Sequence, residues 1–162
     1  MDDGVIYVTR ECHERMTGQL NDLALVKRRD IARQIAEARS HGDLGENAEY
    51  DAAKEAQSFN EMKIAELQDK IRRCRIINEN AIPLNKAVLG TTVWLKDIDA
   101  GEELSYVLVS EPEADLAQDK ISVASPVGKG LLGHKAGDSV EIKVPAGMLR
   151  YEIIKIARTR YG

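Results

Sequence analysis

Aromatic side chains are scarce in this sequence: one Phe, one Trp and five Tyr among 162 residues. So few large rings cannot centre the packing of the whole chain. At least part of it must be held by a narrower aliphatic seam, such as that between two paired helices. Cysteine is nearly absent too. The only two, Cys12 and Cys74, exclude a disulfide-based scaffold, and in a cytosolic chain the expected state is a pair of reduced thiols. No apolar run is long enough to span a bilayer and no leader pattern is visible, so a cytoplasmic protein without a membrane partner is expected. Excess positive charge is lacking as well. The formal net charge is −4, with 13 basic and 16 acidic residues in the first 80 positions and 10 and 11 in the rest. Neither half has the broad cationic surface of a free DNA binder, so any contact with nucleic acid must be local.

What is present is long helical periodicity. Thr9 is a suitable N-cap, with Glu11 and Glu14 favourably near the start of a helix. Met16, Leu20, Leu23, Ala24, Ile31, Ile35 and Ala38 then recur mostly at threes, fours and sevens to about Ser40. His41-Gly42 ends the pattern, Gly42 being a good residue after a helix because it adopts positive φ at little cost. A second pattern runs from about Leu44 to Glu79. Its seam of Tyr50, Ala53, Gln57, Asn60, Ile64, Leu67, Ile71 and Cys74 alternates threes and fours, the spacing of a coiled coil. The Ala, Gln and Asn members make the half nearer the turn thinner and more polar. About 31 helical residues at ~1.5 Å each give a rod of roughly 45 Å.

Pro83 rules out a continuous helix beyond this point, and the period then changes. Thr91–Lys96, Leu104–Ser110, Lys120–Ala124, Ser139–Val144 and Leu149–Ala157 read as strands: β-branched, partly alternating and bounded by Gly, Asp or Pro. Ser125-Pro126 opens a short helix through Leu132, closed by Gly133. The expected fold is a mixed one: an N-terminal antiparallel α-helical coiled-coil hairpin (residues 1–80), a linker (81–86) and an α+β globular domain (87–162).

Between the two helices, Asp43, Glu46, Glu49 and Asp51 place four carboxylates within nine residues with no base among them. Two readings compete. In one, Asp43-x-x-Glu46 is a capping box for the second helix, and Glu49 and Asp51 complement its dipole. In the other, Asp43 and Glu46 aim oxygens at one hard cation. Mg²⁺ keeps several waters and is often held by one or two carboxylates plus phosphate oxygens. Such a pair would not make a good site alone but could complete one that another macromolecule half supplies.

The run from Ala36 to Glu55, with His41-Gly42-Asp43-Leu44-Gly45-Glu46-Asn47-Ala48-Glu49-Tyr50 at its centre, resembles the tip signature of the bacterial transcript cleavage factors, the Gre family. Ser125-Pro126-Val127-Gly128-Lys129-Gly130-Leu131-Leu132-Gly133 resembles that family's second signature. Gly137-Asp138, Val144-Pro145-Ala146-Gly147 and Tyr151-Glu152-Ile153 continue the likeness, which covers nearly the whole chain and lies nearer the GreA than the GreB branch. The resemblance implies an FKBP-like fold for the globular domain. It implies RNA polymerase as partner, with the hairpin inserted through its secondary channel. The function implied is stimulation of the polymerase's own Mg²⁺-dependent cleavage of backtracked RNA, rescuing arrested complexes.

Residue by residue, the resemblance gives Asp43 and Glu46 the role of holding Mg²⁺ at the polymerase active centre. It places Ser125 and Pro126 in the polymerase-binding segment. The factor would carry no cofactor of its own, would be inert without polymerase, and would act as a monomer beside the nascent RNA 3′ end. Gly128-Lys129 stands where the family often has Ala-Arg. Arg29, Arg33 and Arg39, with Lys27 and Arg28, read either as a solvated helix face or as a contact to RNA or polymerase. The rival functions are a channel-occupying inhibitor without cleavage activity and, from the implied fold alone, a prolyl isomerase, which the scarcity of aromatics disfavours.

Overall fold

The computed structural model describes residues 4–41 and 47–159. The chain forms two compact units, one of Met1–Ile6 with Glu11–Cys74, the other of Tyr7–Arg10 with Arg75–Gly162.

The first unit is built from two long helical runs. The first consists of α1 (Arg10–Asn21), a π-helical segment (Asp22–Lys27) and α2 (Arg28–Ser40). The second is α3 (Ala48–Arg73), whose 26 residues span about 39 Å at ~1.5 Å per residue. All seven apolar positions read in the first run and all eight seam positions of the second are buried or half-buried. Charged residues cover the opposite faces, and Arg28 pairs with Glu61 at 3.0 Å across the two helices.

The seam contains one buried polar residue. Asn60 is 3% exposed; its Nδ2 donates to the Leu23 carbonyl at 3.1 Å, while its Oδ1 is buried without a partner. Leu23 lies in the π-helical segment, where its carbonyl also accepts the Arg28 amide, five residues on. Widening a turn in this way displaces the backbone from the ordinary ladder, and Asn60 meets it there. The residues of this widened turn are ordinary helix formers, and nothing in their pattern announces it.

Both helix boundaries of α3 differ from the sequence expectation. The helix ends at Arg73, and Cys74–Ile76 is a short strand, β2, paired with β1 (Ile6–Val8). The two strands were not foreseen: three residues are too few for an alternation to register. The helix also begins four residues later than Leu44, with Asn47 as its N-cap.

The second unit is a five-stranded sheet in the order β5-β4-β3-β7-β6: β3 (Thr91–Asp97), β4 (Glu103–Val109), β5 (Lys120–Ser122), β6 (Ser139–Val144) and β7 (Gly147–Arg158). Pairing is antiparallel except between β4 and β5. The single helix, α4 (Pro126–Leu131), packs on β5 and β6. All five expected strands and the expected short helix are thus present, within a residue or two at each end. Before β3, a 3-10 turn at Glu79–Ala81 precedes the buried Ile82.

Val93, Leu95, Leu108, Leu131, Ile142 and Ile153 form the centre of the core, each under 5% exposed. They lie on β3, β4, α4, β6 and β7, so the helix covers the face on which alternate strand residues converge. Tyr151 joins them at 4% exposure. Its burial, and then its proximity to Tyr106 and Asp97, push its hydroxyl up to about 12. Trp94 points to the other face, half-buried, with the Lys155 ammonium 4.8 Å from its ring centre. A register shift between Trp94 and Leu95 inserts one extra residue into β7 there, so that Ile154 and Lys155 are both exposed.

Candidate functional site

Of the four carboxylates singled out in the sequence, Glu49 and Asp51 lie in the first turn of α3. Asp43 and Glu46 lie outside the described residues, as does Gly42; what the structure describes is the frame on either side. On the α2 side, His41 closes the helix, its amide donating to the Ala38 carbonyl at 3.3 Å. On the α3 side, the Asn47 side chain accepts from the Tyr50 amide at 3.1 Å, the ordinary N-cap geometry. The capping-box reading of Asp43 and Glu46 falls outside the described residues; the described start of the helix is capped by Asn47. Asn is as good a cap as Asp, and the sequence placed equally competent residues at 43 and 47; the helix start chose between them.

Asn47 does a second thing. Its Nδ2 donates to the Ala38 carbonyl at 2.6 Å, so one side chain ties the last turn of α2 to the first turn of α3. Beside it, His41 Nδ1 lies 3.1 Å from Glu49 Oε2, both well exposed. The guanidinium of Arg39 lies over the Tyr50 ring, 5.8 Å from its centre. A shallow cavity of about 340 Å³ opens here, lined by Gln34, Glu37, His41, Glu49 and Ala52. Its walls mix these polar side chains with the methyl groups of Ala38, Ala52 and Ala53.

Arg29 and Arg33 are exposed on α2, and Arg33 lies 3.9 Å from Asp30, a loose ion pair. Of the three arginines noted in the sequence, only Arg39 reaches the residues framing the acidic segment. Arg28, the fourth guanidinium of the cluster, is engaged with Glu61 instead. Cys12 and Cys74 are both buried in the first unit, and the Cys12 thiol lies 3.8 Å from the Met16 sulfur. Among the described residues no three His, Cys, Asp or Glu side chains gather into a cation-binding group. No described helix is long and apolar enough to cross a membrane.

The second signature forms a distinct surface on the globular unit. Ser125 is the N-cap of α4: its hydroxyl donates to the Ser122 carbonyl at 2.6 Å and accepts from the Gly128 amide at 3.1 Å. Pro126 occupies the first helical position, where its missing N–H costs nothing and its fixed φ fits. A Cβ at Gly128 would lie 2.1 Å from the Ser122 carbonyl oxygen, and one at Gly130 would lie 2.5 Å from Ile142 Cγ1. The two glycines let α4 approach β5 and β6 closely, which holds Ser125 and Pro126 in place. Beside them is a cavity of about 470 Å³, lined chiefly by Tyr106, Leu116, Ile121, Pro126, Val127 and Val144. Tyr106 and Leu116 escaped the sequence reading because neither carries a local signal; the fold brings them to Pro126 from β4 and from the turn before β5.

Comparison with known proteins accords with this two-part arrangement. Residues 6–76 match the family model described as transcription elongation factor, N-terminal. Residues 82–158 match that described as transcription elongation factor, GreA/GreB, C-term. Transcription elongation factor GreA of Trichlorobacter lovleyi is 50% identical over 151 residues, covering 93% of this chain and 96% of the relative. GreA of Syntrophotalea carbinolica is 49% identical over 150 residues, covering 93% and 95%. Among solved structures, GreA factor homolog 1 of Thermus thermophilus is 31% identical, covering 94% of this chain and 98% of that one with a TM-score of 0.44. With matches of this identity along nearly its full length, the chain belongs to the GreA/GreB family of transcription elongation factors.

Proposed function

We propose that this protein enters the secondary channel of RNA polymerase by its hairpin and stimulates the polymerase's own cleavage of backtracked nascent RNA. The observation that carries the reading is the cap of α3. Asn47 meets the helix's need for an N-terminal acceptor, so the carboxylates of Asp43 and Glu46 are not required for that role. An acidic segment that joins two helical runs of ~40 Å each, and that α3 does not need for its cap, is suited to carrying charge to a distant centre.

Asp43 and Glu46 would hold a Mg²⁺ shared with the polymerase, which in a two-metal displacement supplies charge stabilisation to the attacking and leaving oxygens. Two carboxylates are too few for an autonomous site, so the protein is inert alone and brings no cofactor of its own. Ser125 and Pro126, with the apolar cavity beside them, form the contact of the globular unit with the polymerase. Arg39, and more weakly Arg29 and Arg33, contact the RNA 3′ segment or the channel wall. The protein acts as a cytoplasmic monomer.

The experiment is cleavage of labelled RNA in stalled polymerase complexes. The parent shortens the RNA, and Asp43→Asn and Glu46→Gln, which conserve size and remove charge, each reduce the stimulated rate at least about tenfold, the usual cost of weakening a metal site. Unchanged rates in both variants would remove the acids from the mechanism, and a parent that leaves the RNA intact would remove the function.

A further inference from the structure

We infer that Glu113 couples the cavity beside Ser125 and Pro126 to Thr9, the residue just before α1, so that a polymerase docked on the cavity tightens the hold on Thr9. The inference rests on the polymerase contact proposed above. Its carrier is a carboxylate that grips a residue 104 positions away. Glu113 Oε1 accepts from the Thr9 hydroxyl at 2.5 Å, and Oε2 accepts from the Thr9 amide at 3.3 Å. Both residues belong to the globular unit, and Thr9 is buried. Local sequence leaves this task open. A capping box would place Glu or Gln three residues after Thr9, reaching back to its amide. That position is Cys12, and Glu113 supplies the carboxylate instead, from the turn after β4. A negative charge there also suits the positive end of a helix.

The place of Glu113 in the chain makes the contact more than a cap. It closes a 3-10 turn, Glu111–Glu113, in which its amide donates to the Ser110 carbonyl at 3.0 Å. The next three residues, Ala114, Asp115 and Leu116, line the cavity. Asp115 ties this wall to β5: its amide donates to the Lys120 carbonyl at 2.8 Å, and the Lys120 amide donates back at 3.0 Å. Leu116 is the most exposed large apolar side chain among the described residues. Asp119, which ends the 3-10 turn Leu116–Gln118, is alone among the described non-glycine residues in having positive φ, at 56°. An uncovered apolar side chain on a strained turn is what a docking partner can restrain. Only two residues separate Leu116 from Glu113, so a restraint on this wall reaches the carboxylate that holds Thr9.

Coupling of this kind is reciprocal. If polymerase strengthens the Thr9–Glu113 contact by some factor, losing the contact weakens polymerase binding by up to that factor. Two quantities are measured on the full chain with core RNA polymerase: hydrogen exchange of the Thr9 amide, free and bound, and affinity by competition. The variants are E113A, E113Q, T9V, T9S and L116A, and the urea midpoint of Trp94 fluorescence controls for the fold. Expected is Thr9 exchange at least about fivefold slower on binding, and binding weakened by a similar factor in E113A and T9V. T9S keeps the hydroxyl and behaves as the parent; E113Q keeps the size and one acceptor and falls between. L116A, saturated with polymerase, shows no slowing at Thr9. Thr9 exchange indifferent to polymerase overturns the inference. So does parent affinity in both E113A and T9V, and so does a loss of affinity that merely tracks a fall in the urea midpoint. If the parent does not bind polymerase, the proposed function itself has failed; if it binds and cleaves while Thr9 is indifferent, only the coupling has.

Discussion

Replacing Asn60 by Leu should stabilise the hairpin, and the sign follows from three terms. The variant loses the hydrogen bond from Asn60 Nδ2 to the Leu23 carbonyl, worth about 1 kcal/mol net. That carbonyl is not orphaned, because it keeps the Arg28 amide. The variant also removes a buried amide oxygen that has no partner, whose desolvation costs about 1–3 kcal/mol. Finally, it adds an apolar side chain with the same number of heavy atoms but bulkier methyl ends at a position 3% exposed, worth about 1.5–3 kcal/mol. The gains exceed the loss by about 1.5–5 kcal/mol, of which about 1–3 kcal/mol is returned to fitting the larger side chain against the widened π-helical turn. Asn60→Ala, by contrast, opens a void and should destabilise. Urea unfolding followed at 222 nm, where the two long helical runs dominate, checks both. A midpoint for Asn60→Leu below the parent's at equal slope would refute the reasoning. It would mean that the Asn60 amide stabilises this register by more than its visible hydrogen bond, as a polar seam residue that specifies one pairing of helices does.

The globular unit has its own reporter, since Trp94 is the only tryptophan in the chain and lies on β3 next to Leu95. Leu95→Ala, at a fully buried central-strand position, should cost about 2–5 kcal/mol, read from the urea midpoint of Trp94 fluorescence; a shift under about 1 kcal/mol would place Leu95 outside the core. Tyr151 supplies a pH dependence. Its folded value of about 12 lies above the ordinary 10, so the unfolded chain ionises first, and stability should fall from about pH 10 and level off near 12. The loss assigned to this group is about 2–3 kcal/mol from two pH units, and Tyr151→Phe should lack it; parallel stability profiles for the two proteins between pH 9 and 12 would contradict the burial argument.

The acidic segment shows how far local pattern reaches. Its charge, its place between two helical periods and its likeness to a family signature are all properties of neighbouring residues, and they were legible. Which residue caps the second helix was not. Asp43 and Asn47 satisfy the same local rule; the described start of α3 is capped by Asn47, whose side chain also meets the Ala38 carbonyl across the hairpin. The Ser125-Pro126 start of α4 was legible for the same reason that the tip was, since an N-cap followed by Pro is a signal within a few residues. The cavity beside it was not, since Tyr106 and Leu116 reach it from elements distant in sequence.

By itself, the sequence determined two helical runs with a polar weak point in their seam, five strands and one short helix, because periods of 3.6 and 2 are written in side chains a few positions apart. Tertiary structure alone decided the order β5-β4-β3-β7-β6, the one parallel pairing, the extra residue in β7, the β1–β2 pair and the π-helical turn opposite Asn60. The strand pairings depend on which backbone groups find partners 13 or more residues away, and the widened turn meets Asn60 from the other helix; contacts across such separations leave no periodic trace in the chain that makes them.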